Sequence, residues 1–597
     1  MRAMAPSDTE RANRLLQEAF GLEALRPFQA EAIEAWSAGR DVLVVQPTGG
    51  GKSLCFQLPA LLGTGTTIVV SPLIALMTDQ VARLRGRGLP AACLNSLQSP
   101  KERKGTLERA RRGAFKLLYV TPERFRSPSF LAALPDLQVE RLAVDEAHCI
   151  SEWGHDFRPD YWRLGAIREL LGNPPTMALT ATATPKVASD IQGALNLDDP
   201  LRLQAGIERP NLCFSFREVA DAEEKAARIL DTILTVDGPG IVYSTLIRDL
   251  EQLHTELKRR GVDSLVYHGK LSSEERRRYQ DRFMASKRQV VLATNAFGLG
   301  VDKPDIRFVL HAQVPRTLEA WTQEVGRAGR DGQPSWCELL LHPEDLAVQQ
   351  NFIGWANPDR EFFFGVYETL VRWGERLQAK ELEDLTNELL VKNRRDNRTS
   401  ICLKWLEVLG VTEGSFETHD LRLARELDPA ELPDFVGSEE KARRDLSALL
   451  GLWRFAQGDG RCRRALLHEH FGEPAPPTSC GACDVCVDAE AWRTERLPTR
   501  PLEDPKPQAA PQSTAGPQPS AVHQSPAMRE QRKACADAEA PPFERGDWVR
   551  VGRHYGQVVR VDRRGNRWEL LVESASDFKR RKVDPRRQQV ERLENGG

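Results

Sequence analysis

The sequence has no long apolar run, no large excess of charge of either sign and little cysteine. No stretch approaches 18 apolar residues, which excludes a membrane-spanning helix, and the first twenty residues lack the apolar core of a signal peptide. The 11 cysteines are few for 597 residues and odd in number, which disfavours a secreted disulfide scaffold and favours a reducing cytoplasm. A net charge of -2 excludes a histone-like polycation, so any nucleic-acid contact depends on local basic patches.

Two successive segments alternate short apolar strands with helical stretches. Such continuous apolar runs between helices are typical of parallel sheets covered on both faces, where ligands gather at the carboxyl ends of the strands. We therefore predict an α/β class fold with tandem domains at 1–205 and 206–345. The predicted strands are 41–46, 66–73, 116–123, 141–148 and 176–182 in the first, and 240–245, 264–269, 289–295 and 307–314 in the second.

The remainder of the chain divides by composition into four segments. Residues 346–455 have helical spacing followed by a short polar stretch, which fits either a winged-helix-like module or a plain helical connector. A cysteine cluster defines a small module at 456–490, and a proline-rich stretch predicts a disordered linker at 491–540. Alternating apolar and polar residues at 541–597 predict a small β-barrel, with 14 Lys/Arg against 9 Asp/Glu.

A phosphate-binding loop is predicted between the first strand and the following helix. It reads Gln46-Pro47-Thr48-Gly49-Gly50-Gly51-Lys52-Ser53. The glycines let backbone N–H groups turn inward around phosphate oxygens, Lys52 would reach the β- and γ-phosphates, and the Ser53 hydroxyl would ligate Mg²⁺. The generic motif begins with glycine, where this chain has Gln46. The alternative is a glycine turn that only caps a helix.

Two adjacent carboxylates end the fourth predicted strand, in the sequence Asp145-Glu146-Ala147-His148. Asp145 is positioned to hold Mg²⁺ through its water shell, and Glu146 to orient and deprotonate the attacking water. Adjacent carboxylates pack poorly at a strand end, so the alternative, an N-cap role for Asp145, is the weaker one.

Two arginines of the second domain offer positive charge to a phosphoryl-transfer transition state. Arg327 and Arg330 follow Gln323 and lie three residues apart, a spacing that predicts one helical face. If the two domains face each other, nucleotide binds between them and Arg330 is the candidate arginine finger. The alternative is a pair of solvated helix arginines.

Together these motifs resemble those of the superfamily 2 helicases. Further matching stretches are Arg26-Pro27-Phe28-Gln29, Ser71-Pro72-Leu73, Thr180-Ala181-Thr182 and residues 293–300. The segment 149–161 is similar to the aromatic-rich loop of the RecQ DNA helicases. The resemblance covers residues 15–345 almost continuously, together with 455–488, and implies that the tandem domains are RecA-like.

The resemblance implies an ATP-dependent 3′→5′ DNA helicase that unwinds duplex and branched DNA and moves along one single strand. It implies roles in recombination and repair, and hence a cytoplasmic, nucleoid-associated protein. By family pattern Arg26 and Gln29 recognise adenine, while His148 and Gln323 couple the ATP site to DNA. The family often stacks an aromatic ring on adenine, and the matching position here is Leu22, which has no aromatic face and so weakens the expected selectivity for adenine.

The loop after the carboxylate pair combines aromatic rings with a cation. Aromatic faces stack on unpaired bases whatever the base sequence. The resemblance gives this DNA-contacting role to Trp153, His155, Phe157 and Arg158. The alternative is an aromatic minicore under a surface loop, which we favour for Tyr161 and Trp162, since both begin a helix.

A zinc site is predicted from four cysteines in one short segment. Cys462 is followed after 17 residues by Cys480, Cys483 and Cys486, each two residues from the next. Four thiolates satisfy tetrahedral Zn²⁺ and leave no open position, so the role is structural. His468 and His470 are alternative ligands, and chance clustering or a redox pair is the alternative interpretation. The segment resembles the RecQ zinc module, although the usual winged helix after that module is absent here.

The basic C-terminal module would grip DNA or bind a partner protein, and a charged solubilising surface is the alternative. Its candidate residues are Arg563, Arg564, Lys579, Arg580 and Arg581.

For the whole chain, one alternative is a DNA-stimulated translocase that strips proteins without separating strands. Another is a non-catalytic DNA-binding scaffold, against which the presence of Lys52, Asp145, Glu146 and Arg330 argues. An RNA helicase is disfavoured because the aromatic loop and the cysteines resemble the DNA enzymes.

Overall fold

The structure is a computed structural model that describes most of the chain up to residue 500 and the strands beyond it. The described residues are 6–47, 49–151, 158–204, 206–298, 301–390, 397–474, 479–500, 548–551, 554–564, 567–574, 580–583 and 590–592. The chain forms two compact units, 1–502 and 503–597. Over the described ranges, no helix combines the length and apolar character that crossing a bilayer requires.

A seven-stranded parallel sheet forms the centre of the first lobe, residues 6–204. Its strands are β1 (Val42–Val45), β2 (Thr66–Val70), β3 (Ala91–Leu94), β4 (Leu117–Val120), β5 (Val139–Val144), β6 (Thr176–Thr180) and β7 (Leu201–Gln204). They lie in the order β3-β4-β2-β5-β6-β1-β7, and every pairing is parallel, as predicted. The two strands that the sequence did not reveal, β3 and β7, are the short edge strands, where one side lacks a neighbour.

Helices cover both faces of this sheet. They are α1 (Pro6–Phe20), α2 (Pro27–Ser37), α3 (Lys52–Leu62), α4 (Ile74–Gly86), α5 (Pro100–Arg111), α6 (Pro128–Leu131), α7 (Pro159–Trp162), α8 (Leu164–Leu170) and α9 (Pro185–Ala194). Short 3-10 helices occupy Pro122–Arg126, Leu134–Leu137 and Ala147–Ile150. One apolar cluster forms around Leu118 and Val144 and another around Val44 and Phe56, which explains why the strands are apolar on both sides.

The second lobe, residues 206–345, repeats the design with six parallel strands. They are β8 (Leu212–Glu218), β9 (Gly240–Tyr243), β10 (Ser264–Tyr267), β11 (Val290–Ala293), β12 (Phe308–His311) and β13 (Ser335–Leu341), in the order β10-β11-β9-β12-β13-β8. Its helices are α10 (Ala222–Thr235), α11 (Ile247–Arg259), α12 (Ser273–Ala285) and α13 (Leu318–Val325). The four predicted strands are confirmed, whereas β8 and β13, which pair with each other over seven residues, were not predicted.

Two long helices frame a segment inserted after the second lobe. Helices α14 (Pro343–Ala356) and α18 (Glu439–Gln457) pack against each other, and residues 357–438 between them are named the inserted module. It contains α15 (Arg360–Trp373), α16 (Leu382–Leu389), α17 (Arg398–Val408) and the antiparallel pair β14 (Thr412–Glu413) and β15 (Arg422–Leu423). The region is helical, as predicted, with a small hairpin after the helices, and its identity as a winged-helix-like module stays a prediction.

The cysteine module shares its core with the second lobe. Helix α19 (Arg463–His470) follows Cys462, and both belong to the apolar cluster that contains Phe214 and Trp321. The predicted start of the disordered linker at residue 491 is wrong. Residues 489–496 form α20 (Ala489–Arg496), because Trp492, which is 6% exposed, buries its ring against the second lobe. The rest of the predicted linker lies outside the described residues.

The second unit contains a five-stranded antiparallel sheet, as the alternating pattern predicts. Its strands are β16 (Trp548–Val551), β17 (His554–Arg564), β18 (Arg567–Ser574), β19 (Arg580–Val583) and β20 (Val590–Arg592), in the order β19-β18-β17-β16-β20. Closure of this sheet into a barrel stays a prediction. Lys579 lies outside the described residues.

Candidate ATP site and nucleic-acid interface

The phosphate loop leaves β1 at Gln46 and enters α3 at Lys52, as predicted. Gly49 and Gly51 have φ angles of 84° and 86°, a left-handed conformation that costs glycine little. A Cβ on Gly51 would lie 2.6 Å from Nε2 of Gln29, so there is no space for a side chain. Thr48 lies outside the described residues. A glycine loop at a helix N-terminus presents backbone N–H groups to anions.

Arg26 and Gln29 brace this loop from helix α2. Arg26 Nη1 donates a hydrogen bond to the Gly50 carbonyl at 2.8 Å, and Gln29 Nε2 donates to the Gly51 carbonyl at 3.0 Å. Gln29 Oε1 accepts from the Arg26 backbone N–H at 2.9 Å, which fixes the Gln29 side chain. Leu22, at the position where the family has an aromatic, is 42% exposed. Recognition of adenine by these residues stays a prediction.

Lys52 is partly buried at the start of α3 and is held toward the loop. Its Nζ donates to the Gln46 carbonyl at 2.6 Å. Burial lowers the pKa of Lys52, and the carboxylates of Glu146 and then Asp145 oppose that change. The ammonium therefore faces the two carboxylates that the sequence assigned to the same chemistry.

Asp145 and Glu146 follow β5 at the carboxyl edge of the first sheet. The Asp145 N–H donates to the Val70 carbonyl at 2.8 Å, and Asp145 Oδ1 accepts from the Glu146 N–H at 3.0 Å. Burial, and then the charge of Glu146, raise the pKa of Asp145 to about 7. A carboxylate and a hydroxyl are the hard oxygen ligands that Mg²⁺ prefers, so Asp145 and Ser53 are chemically suited to the ion, and their joint binding of it stays a prediction.

Glu146 and His148 connect the carboxylate pair to the neighbouring strand. Glu146 has a φ of 50°, an uncommon conformation for this residue type. His148 is buried, and its Nδ1 lies 2.9 Å from Thr180 Oγ1 at the end of β6 and 3.3 Å from Glu146 Oε2. Thr180 in turn donates to the Thr182 carbonyl at 3.1 Å. The structure thus joins two stretches that carried the helicase resemblance separately.

Arg330 of the second lobe reaches the phosphate loop of the first. A Cβ on Gly49 would lie 3.2 Å from Arg330 Cδ, so the arginine stem rests against that glycine. Arg330 Nη1 donates to Asp302 Oδ1 at 2.6 Å and to the Val301 carbonyl at 3.1 Å. Its Nε and Nη2 are buried and have no hydrogen-bond partner among the described residues, which leaves two donors beside the loop.

The prediction that Arg327 and Arg330 share one helical face is wrong. Helix α13 ends at Val325, and both arginines lie in the turn that follows, where Gly329 has a φ of 52°. Arg327 is buried and donates to the Gly298 carbonyl of its own lobe, away from the phosphate loop. The two arginines therefore differ in what they contact. Gln323 lies in α13, partly buried.

The aromatic-rich loop is anchored at both ends. At its start the Ser151 hydroxyl donates to Asp190 Oδ2 at 2.6 Å, and at its end Arg158 Nη1 donates to the Pro72 carbonyl at 3.0 Å. The Arg158 N–H also bonds the Cys149 carbonyl at 3.0 Å. Trp153, His155 and Phe157 lie outside the described residues, so their contact with DNA stays a prediction.

The two aromatic residues after this loop differ from each other. The Tyr161 ring is buried, and its hydroxyl donates to the Asp145 carbonyl at 3.0 Å, which confirms the predicted minicore role. Trp162 is 44% exposed, so the same prediction is wrong for it. Helix α7 is only four residues long, and neighbouring positions on it point in different directions.

The four predicted zinc ligands converge. The Sγ atoms of Cys462, Cys480, Cys483 and Cys486 lie within 4.8 Å of one another. Sulfur atoms at about 2.3 Å from zinc in a tetrahedron are separated by about 3.8 Å, so the cluster fits the ion closely. The two alternative ligands lie beside carboxylates and not among the four sulfur atoms: His468 Nδ1 is 3.4 Å from Glu473 Oε2, and His470 Nε2 is 2.6 Å from Glu319 Oε1.

Arg209 and Asp302 also shape the site, although the sequence did not single them out. Arg209 donates to the carbonyls of Gly326, Ala328 and Gly329, at 3.2, 2.7 and 2.9 Å, and so fixes the turn that carries Arg330. Asp302 pairs directly with Arg330. Asp302 follows the glycine-rich stretch 298–300, which is a local signal, whereas Arg209 stands in the connection between the lobes with no motif around it.

Two parallel-sheet lobes, with a phosphate loop on one and an arginine from the other beside it, define a superfamily 2 helicase core. Family profiles agree with this class. The DEAD/DEAH box helicase domain matches residues 26–191, the helicase conserved C-terminal domain matches 224–332, and the RecQ zinc-binding domain matches 420–487.

Relatives match over most of the first unit. The probable ATP-dependent DNA helicase RecS of Bacillus subtilis is 36% identical over 498 residues, which cover 82% of this chain and 95% of RecS. RecQ of Synechocystis is 36% identical over 500 residues, 81% of this chain and 99% of that protein. RecQ of Bacillus subtilis is 46% identical over 347 residues, and the match spans 58% of each chain. The chain therefore belongs to the RecQ family of ATP-dependent DNA helicases.

Proposed function

We propose that this protein is an ATP-dependent DNA helicase that moves 3′→5′ along one strand and separates duplex and branched DNA. The observation that carries the proposal is the position of Arg330, which extends from the second lobe to Gly49 in the phosphate loop of the first. An enzyme that hydrolyses ATP between two lobes couples each hydrolysis to their relative movement. Membership of the RecQ family supports DNA as the polymer along which the protein moves.

In the proposed mechanism the loop backbone and Lys52 hold the phosphates, and Glu146 orients and deprotonates the attacking water. Asp145 and Ser53 would hold magnesium, which, when bound, neutralises charge on the phosphate oxygens. Arg330 stabilises the charge that develops in the transition state, through its Nε and Nη2 donors. The Asp302 contact keeps the guanidinium extended and limits the entropy lost in reaching that position.

Communication with DNA is proposed to run through the segment between Glu146 and Arg158. His148 contacts both Glu146 and Thr180, so a shift of this segment moves the general base. Arg158 ties the far end of the loop to Pro72, which follows β2 at the same edge of the sheet. Stacking of bases on Trp153, His155 and Phe157 would bias these contacts. Gln323 is assigned the corresponding coupling role on the second lobe, while Arg327 stays a candidate source of positive charge for phosphoryl transfer.

The C-terminal unit is proposed to add a second grip on DNA or a contact with a protein partner. Its sheet carries Arg563 and Arg564 at the end of β17, and Arg580 and Arg581 at the start of β19. In a cell this function places the protein in the cytoplasm with the nucleoid, in recombination and repair.

An unwinding assay tests the polarity. Partial duplexes that carry either one 3′ tail or one 5′ tail are incubated with enzyme and Mg-ATP. The Lys52→Ala variant serves as the inactive control. We expect separation of the 3′-tailed duplex only. Preference for the 5′ tail contradicts the polarity, and ATP turnover stimulated by DNA without strand separation favours the protein-stripping translocase.

A further inference from the structure

The inserted module is attached to the second lobe. Helices α14 and α18, which precede and follow it, contribute Ile353, Leu449 and Phe455 to the second-lobe core. The module also has a core of its own, built around Phe363, Leu370 and Trp405. It is therefore a folded body that is attached to the second lobe through α14 and α18.

Helix α17 of the inserted module contacts the first lobe through two opposite charges three residues apart. Glu407 Oε1 forms an ion pair with Nη1 of Arg126. Lys404 Nζ lies 3.7 Å from Asp160 Oδ2 and 3.9 Å from Glu123 Oε1. Residues three apart lie on the same side of a helix, so one face of α17 makes both contacts.

On the first lobe, Arg126 and Asp160 are held in place by an ion pair with each other. Asp160 is buried, with a side chain only 1% exposed, and it forms an ion pair with Arg126. Within the part of the chain that the structure describes, Asp160 Oδ2 has no hydrogen-bond partner, and the ammonium of Lys404 faces it. A buried carboxylate is costly unless cations surround it, so the inserted module completes a site that the first lobe alone leaves short of positive charge.

The Arg126–Asp160 ion pair is linked to residues of the candidate ATP site. Asp160 lies in the first turn of α7, directly after the anchored end of the aromatic-rich loop at Arg158. The next residue, Tyr161, donates to the carbonyl of Asp145. The path from Glu407 through Arg126, Asp160 and Tyr161 therefore ends on the backbone of the magnesium-binding carboxylate.

The charge of the inserted module disfavours a role in gripping DNA. Residues 357–438 contain 11 Lys/Arg against 17 Asp/Glu, a net charge of -6. Duplex-binding modules are basic because phosphate contacts supply most of their affinity. An acidic module with one face seated on Arg126 has instead the electrostatics of a protein-contacting element.

We infer that the inserted module is a strap, carried by the second lobe, that closes on the first lobe through the Glu407–Arg126 and Lys404–Asp160 contacts. The strap is engaged in the same structure in which Arg330 rests against Gly49, so it stabilises the arrangement with the lobes together. Glu407, Lys404 and Arg126 are positioning residues. This inference rests on the proposed function, since that function requires the lobes to close on ATP.

Binding of a non-hydrolysable nucleotide tests the strap without requiring turnover. The dissociation constant of Mg-AMPPNP is measured by calorimetry on the full chain for wild type and Glu407→Arg, which places two cations face to face. Because nucleotide binds the closed lobes best, loss of the strap reduces the competent fraction and raises the apparent dissociation constant, by about threefold to tenfold. The matched control is Glu368→Arg, an exposed charge reversal on α15 of the same module, which we expect to leave the constant unchanged.

A second variant isolates the pair from general effects on folding. Arg126→Lys keeps a cation beside the buried Asp160 but loses the planar fork that reaches two carboxylates at once. In that background the Glu407→Arg change should have less than half of its effect on the dissociation constant. An equal effect in both backgrounds, or no difference between Glu407→Arg and Glu368→Arg, overturns the strap. Absence of DNA-stimulated ATP turnover in wild type overturns the proposed function instead, and the binding comparison stands apart from it.

Discussion

The aliphatic stem of Arg330 lies against Gly49, so a residue of the second lobe touches the phosphate loop of the first. Two donors of its guanidinium are buried without partners at this point, while a third bonds Asp302. Donors fixed in this way require little reorganisation when negative charge develops on a phosphate. In the proposed mechanism, this contact makes catalysis depend on the relative position of the two lobes.

Replacement of Arg330 by alanine should slow ATP hydrolysis far more than it weakens nucleotide binding. We expect kcat for ATP to fall by about 10³-fold or more, since an arginine finger acts on the transition state. The dissociation constant of Mg-AMPPNP should change by less than about threefold. Steady-state kinetics and calorimetry measure the two quantities, and Arg248→Ala, an exposed arginine of the same lobe, is the control. A loss confined to binding would show that Arg330 is a ground-state ligand.

Replacement of Lys52 by alanine should abolish ATP turnover and leave the fold intact. The Lys52 ammonium is held at the loop by the Gln46 carbonyl, and without it phosphate charge near two carboxylates is uncompensated. We expect kcat to fall by at least about 100-fold. The circular dichroism spectrum should match that of Lys101→Ala, an exposed lysine in α5. Wild-type turnover in Lys52→Ala would mean that the site is misplaced.

Replacement of Arg158 by alanine should impair the response to DNA more than nucleotide binding. The charged hydrogen bond to the Pro72 carbonyl contributes about 1.5–3 kcal/mol to fixing the loop end. We expect single-stranded DNA to stimulate ATP turnover roughly tenfold less than in wild type, with the dissociation constant of Mg-AMPPNP unchanged. Arg112→Ala, an exposed arginine of the first lobe, is the control. Full stimulation in Arg158→Ala would remove the loop anchor from the coupling path.

Removal of zinc should destabilise the second lobe and not only the cysteine module. Cys462 and Cys483 belong to the same apolar cluster as Phe214 and Trp321, so the metal holds part of that core. Structural zinc contributes about 10–16 kcal/mol to folding at neutral pH, and losing even part of this would lower the melting temperature by roughly 10 °C or more. Calorimetry with and without a strong chelator measures this, after elemental analysis has established the zinc content. An unchanged melting temperature in metal-free protein would contradict a structural role.

Local spacing accounts for most of what the sequence predicted correctly. The phosphate loop, the Asp145–Glu146 pair and the Cys480–Cys486 run each depend on neighbouring residues at a strand end or in one turn. Their chemistry is therefore visible before the fold is known. The buried central strands were also predictable, because a short continuous apolar run between two helices is typical of a strand covered on both faces.

The predictions fail where contacts between residues distant in the sequence determine the structure. The spacing of Arg327 and Arg330 suggested a helix, but Gly326 and Gly329 end it first and send the two guanidinium groups to different partners. From the sequence, Trp492 was assigned to the linker. Its helix forms because the Trp492 ring is buried against the second lobe, a contact that the local sequence does not reveal. The contact of Lys404 and Glu407 with Arg126 and Asp160 joins positions more than 240 residues apart, and no local pattern predicts it.

The central claim is that ATP is hydrolysed between the two lobes and that a DNA strand controls the rate. The most direct measurement is ATP turnover by purified full-length protein with and without a single-stranded oligonucleotide, at saturating Mg-ATP and low salt. We predict turnover that rises at least about tenfold with the oligonucleotide and is lost in both conditions in Arg330→Ala. Turnover that is the same with and without the oligonucleotide, or that survives in Arg330→Ala, would contradict the account.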